Sequence, residues 1–195
     1  EVVSVDFIGT HGIKVTTSEP IANPQERNFR LDSRTSMIVE QYGRDIILTP
    51  YHGKAFDEEE IELTIDILED FAGYKSVKEV YEVEISEDDA LPVVEEAYRS
   101  GNKLVVVFDR DVYHDSISAY VNRRVLGNVS FVEKRATFYA EKANKVDTNV
   151  VEYIFGREIP KGIEVEIEGV ANHFNKAMEK QSIVPVEFKD EYAPV

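Results

Sequence analysis

The chain has 195 residues, enough for one domain with a proper hydrophobic core and short for two full domains. Its 38 acidic residues outnumber the 22 basic ones, and the net charge of -16 argues against binding to nucleic acids or acidic membranes. The absence of cysteine excludes disulfides, thiolate catalysis and cysteine-based zinc sites. No stretch approaches the ~20 apolar residues of a membrane span.

The N-terminal part of the sequence predicts two β-hairpins, each made of two short apolar segments around a glycine-containing turn. Between the hairpins, the stretch 18–28 contains two prolines and no periodicity, so we expect a connector across the surface. The four predicted strands of the hairpins are 2–8, 13–17, 37–42 and 45–49.

The segment 60–68 allows two interpretations. Its alternation of apolar and polar residues is typical of a half-buried strand, but the spacing of Ile61 and Ile65 also permits a helix. We favour the strand, because a helix would leave Leu63 and Ile67 outside its apolar face.

The sequence predicts a helix at 90–99. Ser86 and the acidic residues after it are typical of a helix N-terminus, Pro92 is compatible with the first turn, and Gly101 follows the expected end. The apolar face of this helix would consist of Leu91, Val94, Ala97 and Tyr98.

The rest of the chain predicts mostly strands, with a short helix or a wide connection at 170–178. The fold class that follows is α+β and β-rich, with antiparallel, β-sandwich-like sheets and one or two helices. The further predicted strands are 77–85, 103–108, 117–121, 129–131, 136–140, 150–155, 163–167 and 183–188.

Two carboxylates, Asp109 and Asp111, follow directly after the apolar segment 103–108. Acidic side chains at the end of a buried strand can hold a divalent cation, so a small metal-dependent phosphotransfer or nuclease-like enzyme is one hypothesis. The same pattern is common in polar turns. We favour the turn, because no other catalytic group accompanies the pair.

No other pattern marks an active site, and we predict no catalytic, cofactor-binding or metal-binding residue. The consecutive residues 114–116 combine His, Asp and Ser, but members of a triad converge from separate elements. An acidic inhibitor that mimics DNA is a background hypothesis that rests on net charge alone. The four histidines, which lack the spacing of metal ligands, are His11, His52, His114 and His173.

The order of the predicted elements also carries a family resemblance. Its features are Gly12-Ile13-Lys14-Val15-Thr16, a connector with Pro20, Pro24 and Arg27, the helix with Gly101 after it, Phe108-Asp109 with Tyr113, and closing strands around 128–131 and 136–139. In this order the chain resembles the N-terminal domain of distal tail proteins of long-tailed bacteriophages over residues 5–143. We therefore expect a β-rich, tail-tube-like domain at 1–143 and a β extension at 144–195 that packs on the same domain.

The resemblance implies a structural virion protein without catalysis or cofactor. Such a protein forms a ring, typically a hexamer, that joins the tail tube to the baseplate or tip and is assembled in the host cytoplasm. Its partners would be further copies of itself and other phage tail proteins, with no nucleic acid and no membrane. Ring assembly would bury the sheet edges that an isolated subunit exposes.

Overall fold

A computed structural model describes residues 1–56, 60–114 and 126–188. Over these residues the protein consists of mainly antiparallel β-sheets, and its helical parts are two three-residue 3₁₀ helices, Glu26–Asn28 and Tyr51–Gly53. The β-rich prediction is confirmed, whereas the one or two predicted helices overstate the helical content. No helix in the described part of the chain is long and apolar enough to cross a membrane.

The chain divides into two compact units. Unit 1 contains Glu1–Ala90 and His173–Lys176, and unit 2 contains Leu91–Asn172 and Ala177–Val195. The expected boundary at 143/144 falls inside a continuous strand, Ala136–Asp147. The division into a domain at 1–143 and an extension at 144–195 that packs on the same domain stays a prediction.

In its described residues, unit 1 has seven strands in two sheets. The strands are β1 (Val2–Gly9), β2 (Gly12–Thr17), β3 (Phe29–Leu31), β4 (Met37–Tyr42), β5 (Asp45–Pro50), β6 (Ile61–Ile65) and β7 (Glu79–Val83). One sheet has the order β1-β2-β5-β4 and the other β3-β6-β7, with every pair antiparallel. Both predicted hairpins are confirmed, and the segment 60–68 contains a strand as expected, with the bounds Ile61–Ile65.

Both sheets of unit 1 contribute side chains to one core. Ile13 and Val15 of β2, Leu48 of β5 and Leu63 of β6 are completely buried there. Because side chains alternate along a strand, each sheet turns one apolar face inward and one polar face outward. Each such buried side chain stabilises the fold by about 1.5–3 kcal/mol.

Over residues 91–114, 126–172 and 177–188, unit 2 has one large sheet of eight strands, in the order β14-β13-β10-β11-β12-β9-β8-β15. Its most apolar strand is β9, which has the bounds predicted from the sequence and buries Leu104, Val106 and Phe108 completely. The strands are β8 (Val94–Ser100), β9 (Lys103–Phe108), β10 (Asn128–Glu133), β11 (Ala136–Asp147), β12 (Val150–Phe155), β13 (Val165–Glu168), β14 (Gln181–Ile183) and β15 (Val186–Glu187).

The two edges of this sheet are joined by one short segment. Strand β14 pairs antiparallel with β13, and β15, which begins three residues later, pairs parallel with β8 at the opposite edge. Pro185 lies between them, where its missing N–H costs no ladder hydrogen bond. The sheet thus curves around its apolar core so that its two edge strands, β14 and β15, follow each other in the chain, and both edge strands are short.

A side-chain amide links the edge strand β14 to β8. Gln181 of β14 accepts a hydrogen bond from the Val94 N–H through Oε1 (2.9 Å) and donates one to the Val94 carbonyl through Nε2 (3.0 Å). Farther along β8, the buried Arg99 donates to the Ile159 carbonyl (2.9 Å) and approaches the carboxylate of Glu187 in β15 (3.5 Å). Residues of β14 and β15 therefore hold the outer edge of β8 at both of its ends.

The helix predicted at 90–99 is wrong, because most of this segment forms β8. A register shift between Val94 and Glu96 interrupts the two-residue alternation of the strand and places Val94 and Ala97 both inside. This three-residue spacing imitates a helix in the sequence. Upstream, the Ser86 hydroxyl accepts a hydrogen bond from the Asp88 N–H and forms a local turn instead of a helix cap.

The other uncertain segments resolve differently. Residues 170–178 form a wide connection without a helix, in which Ala171 bridges to Tyr113 and to Ala177. The strand predicted at 117–121 lies outside the described residues. The remaining C-terminal strand predictions correspond to β10, β11, β12, β13 and the β14–β15 segment.

Candidate interaction surfaces

An exposed loop after β6, here called the aromatic turn (residues 67–77), carries several large apolar side chains. Phe71 is 79% exposed and Tyr74 is 76% exposed, and Ile67 and Val77 are more than half exposed. Neighbouring Leu68 is buried in the core of unit 1 and anchors the base of the turn. Exposed apolar clusters of this kind mark binding surfaces in soluble proteins.

The aromatic turn is held by its own hydrogen bonds. The Leu68 N–H donates to the Ser76 hydroxyl and the Ser76 N–H donates to the Leu68 carbonyl, at 2.9 Å and 2.8 Å. At the tip, the Asp70 carboxylate accepts hydrogen bonds from the N–H groups of Ala72 and Tyr74, at 2.8 Å and 2.9 Å. The aromatic side chains are therefore presented on a preformed backbone, and less conformational entropy is lost when they bind a partner.

The hydrogen bonds of the aromatic turn also favour the negative charge of Asp70. Desolvation raises the pKa of its carboxyl, but the hydrogen bonds from the turn N–H groups together outweigh that effect and hold the pKa below its usual value. The ionised carboxylate is thus the form that the turn favours.

Beside the turn lies a cavity of about 590 Å³, here called the acidic groove. Tyr74, Val77 and Ile21 give it an apolar part, and a single lysine, Lys75, contributes positive charge. Four carboxylates line it, those of Glu1, Glu19, Asp70 and Glu79.

A second cavity of about 630 Å³, here called the arginine groove, lies beside β3 and β6. It is lined by Arg27, Arg30 and Arg34 over the apolar residues Phe29 and Leu31. The acidic residues of its lining are Glu26, Asp32 and Glu62.

The arginines of this groove differ in their partners. Arg30 forms an ion pair with Asp66 at 3.2 Å. Among the described residues, neither Arg27 nor Arg34 has an ion-pair partner. The three arginines are matched in number by the three acidic residues of the same lining, so the groove carries no net excess of positive charge.

Asp109 and Asp111, the candidates for a metal site, lie in the turn after β9. The Asp109 carboxylate accepts hydrogen bonds from the Val93 N–H (2.8 Å) and from Arg110 Nη2 (2.9 Å). The hydrogen bond from Arg110 lowers the pKa of Asp109, and the hydrogen bond from the Val93 N–H lowers it further. Desolvation raises this pKa, but the net direction is downward. No group of three or more metal-ligating side chains occurs in the described residues. The prediction that Asp109 and Asp111 belong to a turn and bind no metal stays a prediction, with the metal site as the alternative hypothesis.

Two of the histidines come together at the tip of the β1–β2 hairpin. The His11 N–H donates to the carbonyl of His173 (2.8 Å), and His173 is buried against the hairpin. Gly9 and Gly12 permit this contact, because any side chain at either position would clash with His173. A Cβ atom on Gly9 would lie 2.4 Å from the His173 backbone, and a Cβ atom on Gly12 would lie 2.4 Å from His173 Nδ1. The contact explains these residues as a packing element of unit 1.

The aromatic turn and the two grooves were not predicted from the sequence. A signal was present for the turn, since Asp70, Gly73 and two aromatic residues follow a strand within a few positions. The grooves had no such signal, because long-range contacts bring their residues together: the pairing of β3 with β6 for the arginine groove, and the bridge between Ile21 and Asp70 for the acidic groove.

The chain is similar over nearly its whole length to a bacterial surface protein. It is 28% identical over 193 residues to the surface-layer 125 kDa protein of Lysinibacillus sphaericus, an alignment that covers 95% of this chain. The chain spans 16% of the length of that relative. No protein-family model matches the chain.

This similarity overturns the resemblance to distal tail proteins, and with it the ring-forming tail adaptor and the virion location. The predicted resemblance rested on the order of elements and not on a diagnostic motif. One of those elements, the helix before Gly101, does not exist, since β8 occupies its place. A succession of short strands alone is shared by many unrelated β-rich proteins.

Proposed function

We propose that the chain is a structural domain of a bacterial surface-layer protein, located on the cell surface, and that it acts through contacts with other protein domains. The observation that carries this proposal is the similarity to the Lysinibacillus sphaericus protein across 95% of the chain. Because the aligned part is a small fraction of that relative, the proposal concerns a domain within a larger protein.

The architecture supports a structural role. The edge strands of the sheet in unit 2, β14 and β15, are only three and two residues long, which limits uncontrolled pairing with other chains. The acidic surface favours solubility before assembly. The exposed apolar groups of unit 1 are concentrated in the preformed aromatic turn, as expected of a surface that makes specific contacts.

A domain exchange in the relative tests this proposal. In the Lysinibacillus sphaericus protein, the aligned segment is replaced by this chain, and intact cells are treated with a membrane-impermeant lysine reagent. We expect the exchanged segment to be labelled on intact cells and to remain in the sedimented envelope fraction. A protein with the segment deleted and a cytoplasmic marker serve as controls. A chimera that folds but is released into the medium, or that is retained without labelling of the exchanged segment, would contradict the proposal.

A further inference from the structure

We propose that the acidic groove of unit 1 binds a cationic segment of another protein, in which arginine or lysine stands next to an apolar side chain. The inference goes beyond the structural role proposed above and does not rest on it, because such binding is a property of the purified chain. The groove has about 590 Å³ of space, within the ~300–1,000 Å³ that is typical of ligand-binding clefts.

The charge of the groove is the first argument. Its four carboxylates come from separate segments of unit 1, which lie before β1, after β2, in the aromatic turn and at the start of β7. The lysine of the lining, Lys75, forms an ion pair at 3.5 Å with Glu69, which lies outside the lining. The groove therefore carries a net negative charge, and it favours a cationic occupant.

Two of these carboxyl groups lie next to each other. The side chains of Glu19 and Asp70 are within hydrogen-bonding reach, and the segment that carries Glu19 is joined to the aromatic turn by a β-bridge between Ile21 and Asp70. The Ala22 N–H adds a hydrogen bond to the Glu69 carbonyl at 2.7 Å. Two carboxylates at this separation repel each other when both are ionised, so an ammonium or guanidinium group beside them would be stabilised.

The negative charge of the groove also acts on a neighbouring tyrosine. Burial, the hydrogen bond to Glu79 and the charges of Glu79 and Glu1 together raise the pKa of Tyr81 to about 12. The Tyr81 hydroxyl donates this hydrogen bond to the Glu79 carboxylate. The negative charge therefore extends from the groove along the first residues of β7.

The apolar lining is the second argument. Tyr74 and Val77 are 76% and 70% exposed, and they line the groove together with the buried Ile21 and Leu68. A cation is attracted to the face of an aromatic ring, so an arginine or lysine that contacts the carboxylates can also stack on Tyr74. An apolar side chain beside that cation would remove Val77 from water. A simple cation makes no such apolar contact, and a polypeptide segment does.

The partner is a protein other than a second copy of this chain. Each copy has a net charge of -16, so two copies repel each other, whereas a basic protein is attracted to the same surface. This attraction is screened by salt, and the binding should therefore weaken as the salt concentration rises.

Two variants remove the two kinds of contact. The charge variant, Glu19→Gln with Glu79→Gln, removes two of the four negative charges and keeps a hydrogen-bond acceptor at both positions. The ring variant, Tyr74→Ser, removes the aromatic face. All three side chains are exposed, so we expect both variants to keep the circular dichroism spectrum and melting temperature of the unmodified chain.

Matched controls make the same changes outside the groove. Glu84→Gln with Glu87→Gln alters the net charge as the charge variant does, at two exposed positions that do not line the groove. Phe71→Ser removes a ring of the same aromatic turn that does not line the groove either. These controls separate binding in the groove from attraction by overall charge or by any exposed ring.

Isothermal titration calorimetry with a synthetic peptide gives the test. The probe is a capped peptide of sequence Gly-Arg-Leu-Arg-Phe-Gly, and a second peptide carries citrulline, the neutral analogue of arginine, at both arginine positions. We expect the cationic peptide to form a one-to-one complex with the unmodified chain, and the citrulline peptide not to bind. The charge variant and the ring variant should each bind the cationic peptide about tenfold more weakly, and both controls should bind it like the unmodified chain.

Three outcomes would overturn the inference. The cationic peptide does not bind, or it binds the charge variant as tightly as the control with the same net charge. Alternatively, the unmodified chain binds Ca²⁺ and not the peptide, and the charge variant loses the Ca²⁺, which would assign the groove to a metal ion. None of these results would affect the labelling experiment on cells, so failure of the inference and failure of the proposed function are distinguishable.

Discussion

The contact between Gln181 and Val94 in unit 2 yields the most quantitative prediction. Replacement of Gln181 by Met keeps the length and approximate volume of the side chain and removes both hydrogen bonds to Val94. Val94 is 5% exposed, so water does not replace the lost partners of its N–H and carbonyl groups without local opening. The strand β8 would then carry an unsatisfied donor and an unsatisfied acceptor at the seam between β14 and β8.

The expected cost follows from these two groups. A buried polar group left without its partner costs about 1–3 kcal/mol, so the loss of both partners should destabilise unit 2 by roughly 2–6 kcal/mol. In a protein of this size, 1 kcal/mol lowers the melting temperature by about 2–4 °C, which gives a decrease of roughly 4–24 °C.

Urea unfolding and hydrogen exchange measure this effect. We expect a lower midpoint in urea and faster exchange of the Val94 amide, because opening of the seam exposes it. Gln41→Met is the matched control, since the Gln41 side chain donates one solvent-exposed hydrogen bond to the Gly43 carbonyl, and its loss should cost less than about 0.5 kcal/mol. Equal stability of Gln181→Met and the unmodified chain, with unchanged exchange at Val94, would refute the proposed role of the amide.

Three further predictions concern single residues. Gly9→Ala should destabilise unit 1 by about 3 kcal/mol or more in urea unfolding, because its Cβ would meet the His173 backbone at 2.4 Å, whereas Gly43→Ala, with open space around it, should cost only about 1 kcal/mol. Equal costs would contradict the packing argument. The pKa of Asp70 in the folded protein is lowered from 3.8, so the ionised carboxylate stabilises the aromatic turn fully above pH 3.8, and this stabilisation is lost as the pH falls through the folded pKa. Amide exchange in the turn should therefore become faster in acid, and Asp70→Asn should abolish this dependence on pH. Asp109→Ala should cost about 1–2 kcal/mol, and addition of Mg²⁺ or Mn²⁺ should leave the melting temperature of the unmodified chain unchanged; a metal-dependent increase that the variant lacks would instead support the metal-site hypothesis.

Local sequence patterns predicted most strands of this protein and failed where long-range pairing decides the structure. The alternation in 60–68 gave the correct strand because one side of β6 is buried along its whole length. The segment around Val94 gave a false helix, because a register shift changes the spacing of buried residues from two to three. The pairing of β15 with β8 was not predictable, since it joins Val186 to Tyr98, which lie far apart in the sequence.

Predictions about function depended even more on arrangement. The turn interpretation of Asp109 agrees with its hydrogen bonds to Val93 and Arg110. The resemblance to a phage protein failed because the order of short strands carries little information about ancestry. The candidate interaction surfaces depend on side chains that the pairing of β3 with β6 and the hydrogen bonds of Asp70 bring together.

Electron microscopy of the domain-exchanged surface-layer protein tests the central claim most directly. Cells of Lysinibacillus sphaericus that carry this chain in place of the aligned segment should show an ordered surface array, and its order should be visible in the Fourier transform of envelope micrographs. A chimera that is produced, folded and retained at the cell surface, yet gives envelopes without an ordered array, would contradict the account that this chain is a structural domain of a surface layer.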